Sequence, residues 1–237
     1  MTPKVPANKT KTNNTPSSSL KNAFSQGYSL QLQGLTIELM VLAYNQMYNA
    51  GHYKKNTIEN QYTAQLVGYM ELNRPQFERI TRNVWHIERE HQHDPDDVIL
   101  GNTNPNEAKR IDIVVYSWKP GKSKFRYALE AKRIAENDND LIEYYITKGL
   151  LDRFLNHQKN YSNNDPYGGM IGFVIQGSHS SIVTYLNNEI NSHPTIKNEI
   201  LTPAKPILGF SSIYESTHTG PITGTPLRIT HLMMKFY

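Results

Sequence analysis

The chain has 237 residues and not one cysteine. Disulfides and thiolate zinc sites are therefore excluded, and a reducing compartment suits the sequence. No apolar run reaches the roughly 20 residues that span a bilayer. Residues 1–19 carry lysines but no apolar stretch, so they do not read as a secretory signal. The expectation is a soluble, cytoplasmic protein with no membrane partner. There is no Gly-x-x-x-x-Gly-Lys phosphate loop and no Gly-x-Ser-x-Gly elbow, which argues against a nucleotide triphosphatase and a serine hydrolase. Strong charge of one sign is also missing. The 25 Lys and Arg against 21 Asp and Glu give a net charge of only +4. That balance permits a polyanionic partner without requiring one.

A core can still be built, with 38% hydrophobic residues and 15 tyrosines. Residues 1–27, rich in Pro, Asn, Ser, Thr and Lys, bury too little to offset ordering entropy and read as a flexible basic tail. Its Lys4, Lys9, Lys11 and Lys21 either touch phosphates or are simply solvated. Residues 28–237 read as one domain. Leu35 to Ala50 is apolar on most sides and stops at Gly51, as a buried helix does. A second helix is expected from Asn56, with Ile58, Tyr62, Leu66, Tyr69 and Met70 as its inner stripe and Pro75 in the polar segment after it. Ile80 to Gln92 alternates like a strand. His93 to Lys109 is a long turn-rich loop.

Arg110 to Arg133 reads as two strands about a Pro120-Gly121 turn. Ile111, Ile113 and Val115 face one way, and Arg110, Asp112 and Val114 the other. Glu130 and Lys132 share a face of the second strand. Asp140 to Tyr161 is a long amphipathic helix with Ile142, Ile146, Leu150 and Phe154 every fourth residue, capped by Asp138 or Asp140. Met170 to Ile175 is a continuous apolar run, the mark of a strand covered on both faces. A helix over Ser180 to Ser192 and strands over Ile207 to Tyr214 and Leu227 to Phe236 follow. The order predicts an α/β or α+β fold with a mixed sheet flanked by helices.

Phosphodiester hydrolysis asks for hard oxygen ligands that hold Mg²⁺ and for a cation near the developing charge. Asp112 and Glu130 offer the carboxylates, the Ala131 carbonyl a further oxygen, and Lys132 the cation. The plain alternative is a cross-strand ion pair. Asp inside an apolar strand weighs against that alternative, because Asp disfavours strands.

IDIVV, followed by ALEAK with Glu130 eighteen positions after Asp112, resembles the Asp…(Asp/Glu)-x-Lys signature of the PD-(D/E)XK nuclease superfamily. Ile111 stands where that signature usually has proline. The segments YYITKGLLDRF and GGMIGFVIQG also look like the helix and strand that follow the catalytic strands in bacterial members of unassigned substrate. The resemblance implies a restriction-endonuclease-like core of helix, three antiparallel strands, helix and strand over residues 57–176. It implies Asp112 and Glu130 as Mg²⁺ ligands (Mn²⁺ as a substitute), Ala131 beside them, and Lys132 positioning or activating water. It further implies nucleic acid, DNA foremost, as partner, a possible homodimer, and a role in restriction or phage defence. Many members add an acid from the first core helix. Glu59 matches it, or else serves a capping box with Asn56; Glu88 is a weaker substitute. Lys148 and Arg153 on the long helix and Gln176 after the buried strand are candidate nucleic-acid contacts.

His91-x-His93, with His86 and Asp94, is either a zinc site or a polar loop edge. His218 and His231 either border a site or belong to the core. Two readings compete with a nuclease: a non-catalytic nucleic-acid- or protein-binding module on the same fold, and a protein whose Glu130–Lys132 pair is purely structural.

Overall fold

The computed structural model describes residues 18–51, 57–92, 110–118, 124–156, 161, 165–220 and 224–237, with side chains from residue 27 onward except that of Gln92. The elements are α1 (Ser18–Asn49), α2 (Glu59–Thr81), β1 (Val84–Gln92), β2 (Arg110–Trp118), β3 (Phe125–Ala135), α3 (Asn139–Tyr144) with a π-helical continuation (Tyr145–Leu155), β4 (Tyr167–Gln176), α4 (His179–Ser192), β5 (Thr202–Pro203), β6 (Ile213–Thr219) and β7 (Pro226–Lys235). The strands form one seven-stranded mixed sheet in the order β1-β2-β3-β4-β7-β6-β5. β3, β4 and β7 run parallel to one another, and the remaining pairings are antiparallel. No described helix is long and apolar enough to cross a membrane.

Both faces of the sheet are covered. On one, Met40, Met47, Tyr62 and Leu66 of α1 and α2 meet Ile113, Val115, Leu129, Phe173 and Phe236. On the other, Ile146, Leu150, Phe154, Ile182 and Leu186 meet Val114, Ala128, Met170 and Val174. β4 is sandwiched between them, which explains its unbroken apolar run: residues 167–174 are all buried. Within β2 the strict alternation fails at one end, since Ile111 joins Val114 on the α3 side instead of Ile113.

The helices depart from the sequence reading in three places. α1 begins at Ser18, so its first turns lie in what reads as the tail; residues 1–17 are outside the described residues. α2 runs through Pro75 instead of ending before it. Pro75 removes a backbone donor and clashes with the turn before it. The buried positions Asn73 and Phe77 lie on either side of it, and Arg74 bonds both Glu71 at 2.7 Å and Glu78 at 2.8 Å across it. Asn73 also exchanges side-chain hydrogen bonds with Gln46 of α1. Packing thus outweighs local propensity. The long helix stops at Leu155 and widens into π geometry from Tyr145. Its apolar stripe repeats every four residues, longer than the 3.6 of an α-turn, and wider winding keeps that stripe on the sheet.

At the C-terminal end the expected strand over Ile207 to Tyr214 is only partly formed. Ile207 and Phe210 make an isolated bridge, and regular pairing starts at Ile213. The loop 93–109 and the Pro120-Gly121 turn fall outside the described residues.

Candidate active site

β2 and β3 pair with Ile113 opposite Leu129, so Asp112 and Glu130 come side by side one step further along. There Asp112 Oδ2 accepts a hydrogen bond from the backbone N–H of Ala131 at 2.8 Å. A carboxylate thus serves the main-chain donor of β3. Glu130 and Lys132 project together toward the α3 layer, as period-two alternation requires. Lys132 Nζ donates to Glu130 Oε1 at 2.6 Å and to the Ala131 carbonyl at 2.7 Å. It lies 3.9 Å from Asp112 Oδ2.

Glu59 completes the ring. α2 starts at Glu59, with Ile58 as N-cap and no side-chain capping bond. The capping box with Asn56 is therefore not formed at this helix start; Asn56 itself is outside the described residues. Released from the cap, Glu59 accepts from Lys132 Nζ through Oε1 at 3.2 Å and from the Arg133 backbone N–H through Oε2 at 3.0 Å. Glu88 stays on the exposed side of β1, 2.9 Å from His91 Nδ1 and 3.8 Å from His86 Nε2.

The π-helical segment lies over the cluster. A Cβ on Gly149 would come 2.5 Å from the terminal methyl of Met170 and 3.5 Å from Lys132, so the helix packs closely on the cluster here. The result is a Glu130 that is 1% exposed and a Lys132 that is 4% exposed. Arg153, from the same segment, donates to Glu130 Oε1 at 3.2 Å and stacks over Tyr161. Tyr161 in turn donates to the Arg110 carbonyl and accepts from Arg126 through its own carbonyl. Sequence reasoning did not single out Tyr161 or Arg126. Arg126 lies on β3 at the same period-two face as Glu130 and Lys132, a signal that could have found it, whereas Tyr161 lies outside the motif stretch and carries no local signal.

Burial raises the Glu130 carboxyl to about 7, with the Asp112 charge adding to the rise and Lys132 opposing it. Asp112 is also raised, again by burial first, against the pull of Lys132 and the Ala131 N–H. Burial alone would lower Lys132, but the charges of Glu130, Asp112 and Glu59 override it and raise the ammonium to about 12. Lys132 is thus a fixed cation at neutral pH. Glu130 Oε2 is buried and, among the described residues, accepts no hydrogen bond.

The Glu130 and Asp112 carboxylates and the Ala131 carbonyl are hard oxygens of the type Mg²⁺ takes, although Lys132 occupies the carbonyl and one Glu130 oxygen. The ion commonly takes one or two carboxylates and leaves its other positions to water and phosphate. Among the described residues, no three His, Asp or Glu side chains converge in a metal-binding arrangement. The Lys132 ammonium stands between the acids instead.

The other candidates separate clearly. Lys148 pairs with Asp152 at 3.1 Å on an exposed face and does not touch the cluster. Gln176 is exposed at the end of β4 beside Ala135, and among the described residues no hydrogen bond ties it to the cluster. His93 and Asp94 lie outside the described residues. His218 and His231 are core residues. Glu199 Oε2 is 2.7 Å from His218 Nδ1, and Ser216 Oγ bridges His218 Nε2 at 2.6 Å and His231 Nε2 at 2.8 Å. His231 Nδ1 meets the Tyr145 hydroxyl at 3.0 Å.

No family model, curated protein or solved structure matches the chain.

Proposed function

We propose that the chain is a metal-dependent nuclease of the PD-(D/E)XK kind, hydrolysing phosphodiester bonds, DNA foremost. One observation carries this reading: Asp112, Glu130 and Glu59 converge on the Lys132 ammonium while Glu130 Oε2 is left buried and unbonded. The order α2, β1, β2, β3, α3, β4 supports it, since it matches the core that the resemblance implies. A homodimer and a restriction or phage-defence role belong to the same proposal.

Asp112 and Glu130, with the Ala131 carbonyl, would hold Mg²⁺ or Mn²⁺. A metal bound there supplies Lewis acidity toward the phosphoryl oxygen and a more acidic water. The protein's own groups do the rest. Lys132, protonated at neutral pH, offsets the charge that builds on the phosphoryl oxygen; its three N–H groups go to Glu130, the Ala131 carbonyl and Glu59, so it positions the attacking water by giving up one of these bonds. It is no general base in this state. Glu59 orients Lys132 with one carboxylate oxygen and anchors β3 with the other. Arg153 holds Glu130 in place and brings a second cation to the site.

The test is cleavage of plasmid and single-stranded DNA with Mg²⁺ or Mn²⁺, comparing wild type with Glu130→Ala and Lys132→Ala. Losing one transition-state stabiliser typically costs about 10²–10³ in rate, and losses of that order are expected. Variants that cut as well as wild type, or a clean wild type that cuts nothing, would remove the reading. A second reading, a non-catalytic binding module, draws support from the cluster already holding its own cation in Lys132. Salt-sensitive DNA binding without cleavage would favour it.

A further inference from the structure

A groove of about 490 Å³ opens beside the cluster, between the starts of α2 and α3. Its volume lies within the roughly 300–1,000 Å³ of small-molecule sites. Ile58, Glu59, Asn60, Arg133, Asp140 and Tyr144 line it. Glu59 belongs to both groove and cluster, and the Lys132 ammonium is 5.8 Å from the Tyr144 ring centre. The groove thus meets the cluster at Glu59.

Two of its residues are out of place for a folded surface. Tyr144 is 49% exposed and Ile58 is 56% exposed. Among the described residues no other aromatic ring stacks on Tyr144. A flat ring and a branched aliphatic chain on one groove are what a planar ligand packs against. The polar walls say more. Asp140 and Glu59 repel a phosphate, so the groove does not suit the backbone of a polyanion. Carboxylate and amide oxygens do suit the amino groups on a base edge. Arg133 adds a donor for the acceptors of such an edge, and among the described residues it makes no ion pair with a carboxylate.

We propose that this groove binds one unpaired nucleobase of a single-stranded or frayed nucleic acid, stacked on Tyr144, next to the phosphodiester that the cluster cuts. The proposal rests on the nuclease reading and narrows its substrate. In a duplex the pairing edge is occupied and the base is stacked on its neighbours, so neither surface is free for the groove. An unpaired base offers both. Stacking on an aromatic side chain is worth about 1–3 kcal/mol per base, or roughly 5- to 150-fold in affinity.

The test uses the full chain in EDTA, so that metal-dependent cutting is off. Binding of a 2-aminopurine-labelled single strand and of its duplex is followed by fluorescence. The single strand is expected to bind with a changed 2-aminopurine signal, and the duplex at least about tenfold more weakly. Tyr144→Ala should weaken single-strand binding about tenfold, while Tyr144→Phe binds as wild type does. With Mg²⁺ restored, Tyr144→Ala should raise KM and leave kcat nearly unchanged. Tyr144 is half-exposed, so the variant is expected to fold, and an unchanged melting temperature checks this. Tyr144→Ala binding as tightly as wild type, or a duplex bound as tightly as the single strand, overturns the groove assignment while wild-type cleavage leaves the nuclease reading standing. A wild type that neither binds nor cuts any nucleic acid overturns both.

Discussion

Two buried polar clusters lie in the same layer of the molecule, and they are built on opposite principles. In the first, Asp112, Glu130, Glu59, Lys132 and Arg153 are charged groups packed around one ammonium, with Glu130 Oε2 left unbonded. In the second, Glu199, His218, Ser216, His231 and Tyr145 form a hydrogen-bonded chain in which both nitrogens of each imidazole have partners. Burial lowers His231 to about 3, so its ring is neutral at any ordinary pH. A network in which every imidazole nitrogen is satisfied specifies a core. A charged one with an orphaned acceptor is held at a cost that packing alone does not explain, and such places are where chemistry is expected. The contrast sorts two clusters that the sequence presents only as scattered polar residues.

The largest effect should come from removing the central cation. Lys132→Met leaves Glu130, 1% exposed, without its closest counter-charge. Breaking a buried pair from one side costs about 3–5 kcal/mol, and urea unfolding near pH 8 should show a loss of that order. The matching cut in the other cluster, Ser216→Ala, takes a partner from one nitrogen of each imidazole and should cost about 1–3 kcal/mol. It should also leave any cleavage activity untouched. Equal losses, or a drop in cleavage with Ser216→Ala, would dissolve the distinction between the two clusters.

Acidity separates them next, because the two shifts slope in opposite directions. The folded Glu130 holds its proton up to about 7, against 4.5 as the ordinary value. Between those values the folded state binds more protons than the unfolded one, so this group's contribution to stability falls as pH rises through the window. His231 is the reverse. Its folded value of about 3 lies below the ordinary 6.5, so its contribution is lost as pH falls from about 6.5 toward 3. Glu130→Gln removes the first slope and keeps the second. Relative to wild type it should gain stability from pH 4.5 to pH 7, on the order of 1–3 kcal/mol. Parallel stability curves for the two proteins, measured by urea unfolding across that range, would mean that Glu130 is not the buried carboxyl described.

The cluster around Lys132 was far more legible in the sequence than the histidine network. Alternation alone placed Glu130 beside Lys132, and an Asp within an apolar strand marked Asp112. The Met170–Ile175 run was also visible, as was an α3 cap at Asp138 or Asp140, of which Asp138 accepts from Leu141 N–H at 3.0 Å. These signals are local, one residue type at a fixed spacing. Glu59 could be read as a cap or as a site acid, because Asn56 offered a plausible cap three residues earlier. The helix starts at Glu59 with Ile58 as its N-cap, and contact with Lys132, 73 residues away, sets the direction of the Glu59 side chain. Pro75 misled for a similar reason, since buried neighbours carry α2 through it. Nothing local joins Glu199, Ser216, His218 and His231 to Tyr145. Their meeting follows from β6 pairing with β7 and from the π-helical segment packed above, which no spacing rule foretells.

The smallest effect tests where the charged region ends. Arg153 and Lys148 are five residues apart on one helical segment, yet only Arg153 reaches the buried acids. The Lys148–Asp152 pair is an exposed ion pair, and such pairs contribute about 0–1 kcal/mol. Lys148→Ala should therefore leave stability within about 0.5 kcal/mol of wild type. If the proposed nuclease surface extends along this face, the same substitution removes one phosphate contact. The slope of log binding constant against log salt should then shrink by about 0.9 on duplex DNA, or about 0.7 on a single strand. A fall of that size, with cleavage chemistry unchanged, would place Lys148 on the path of the backbone. An unchanged slope would confine the functional surface to Arg153 and the groove at Tyr144, and leave Lys148 as an ordinary solvated charge.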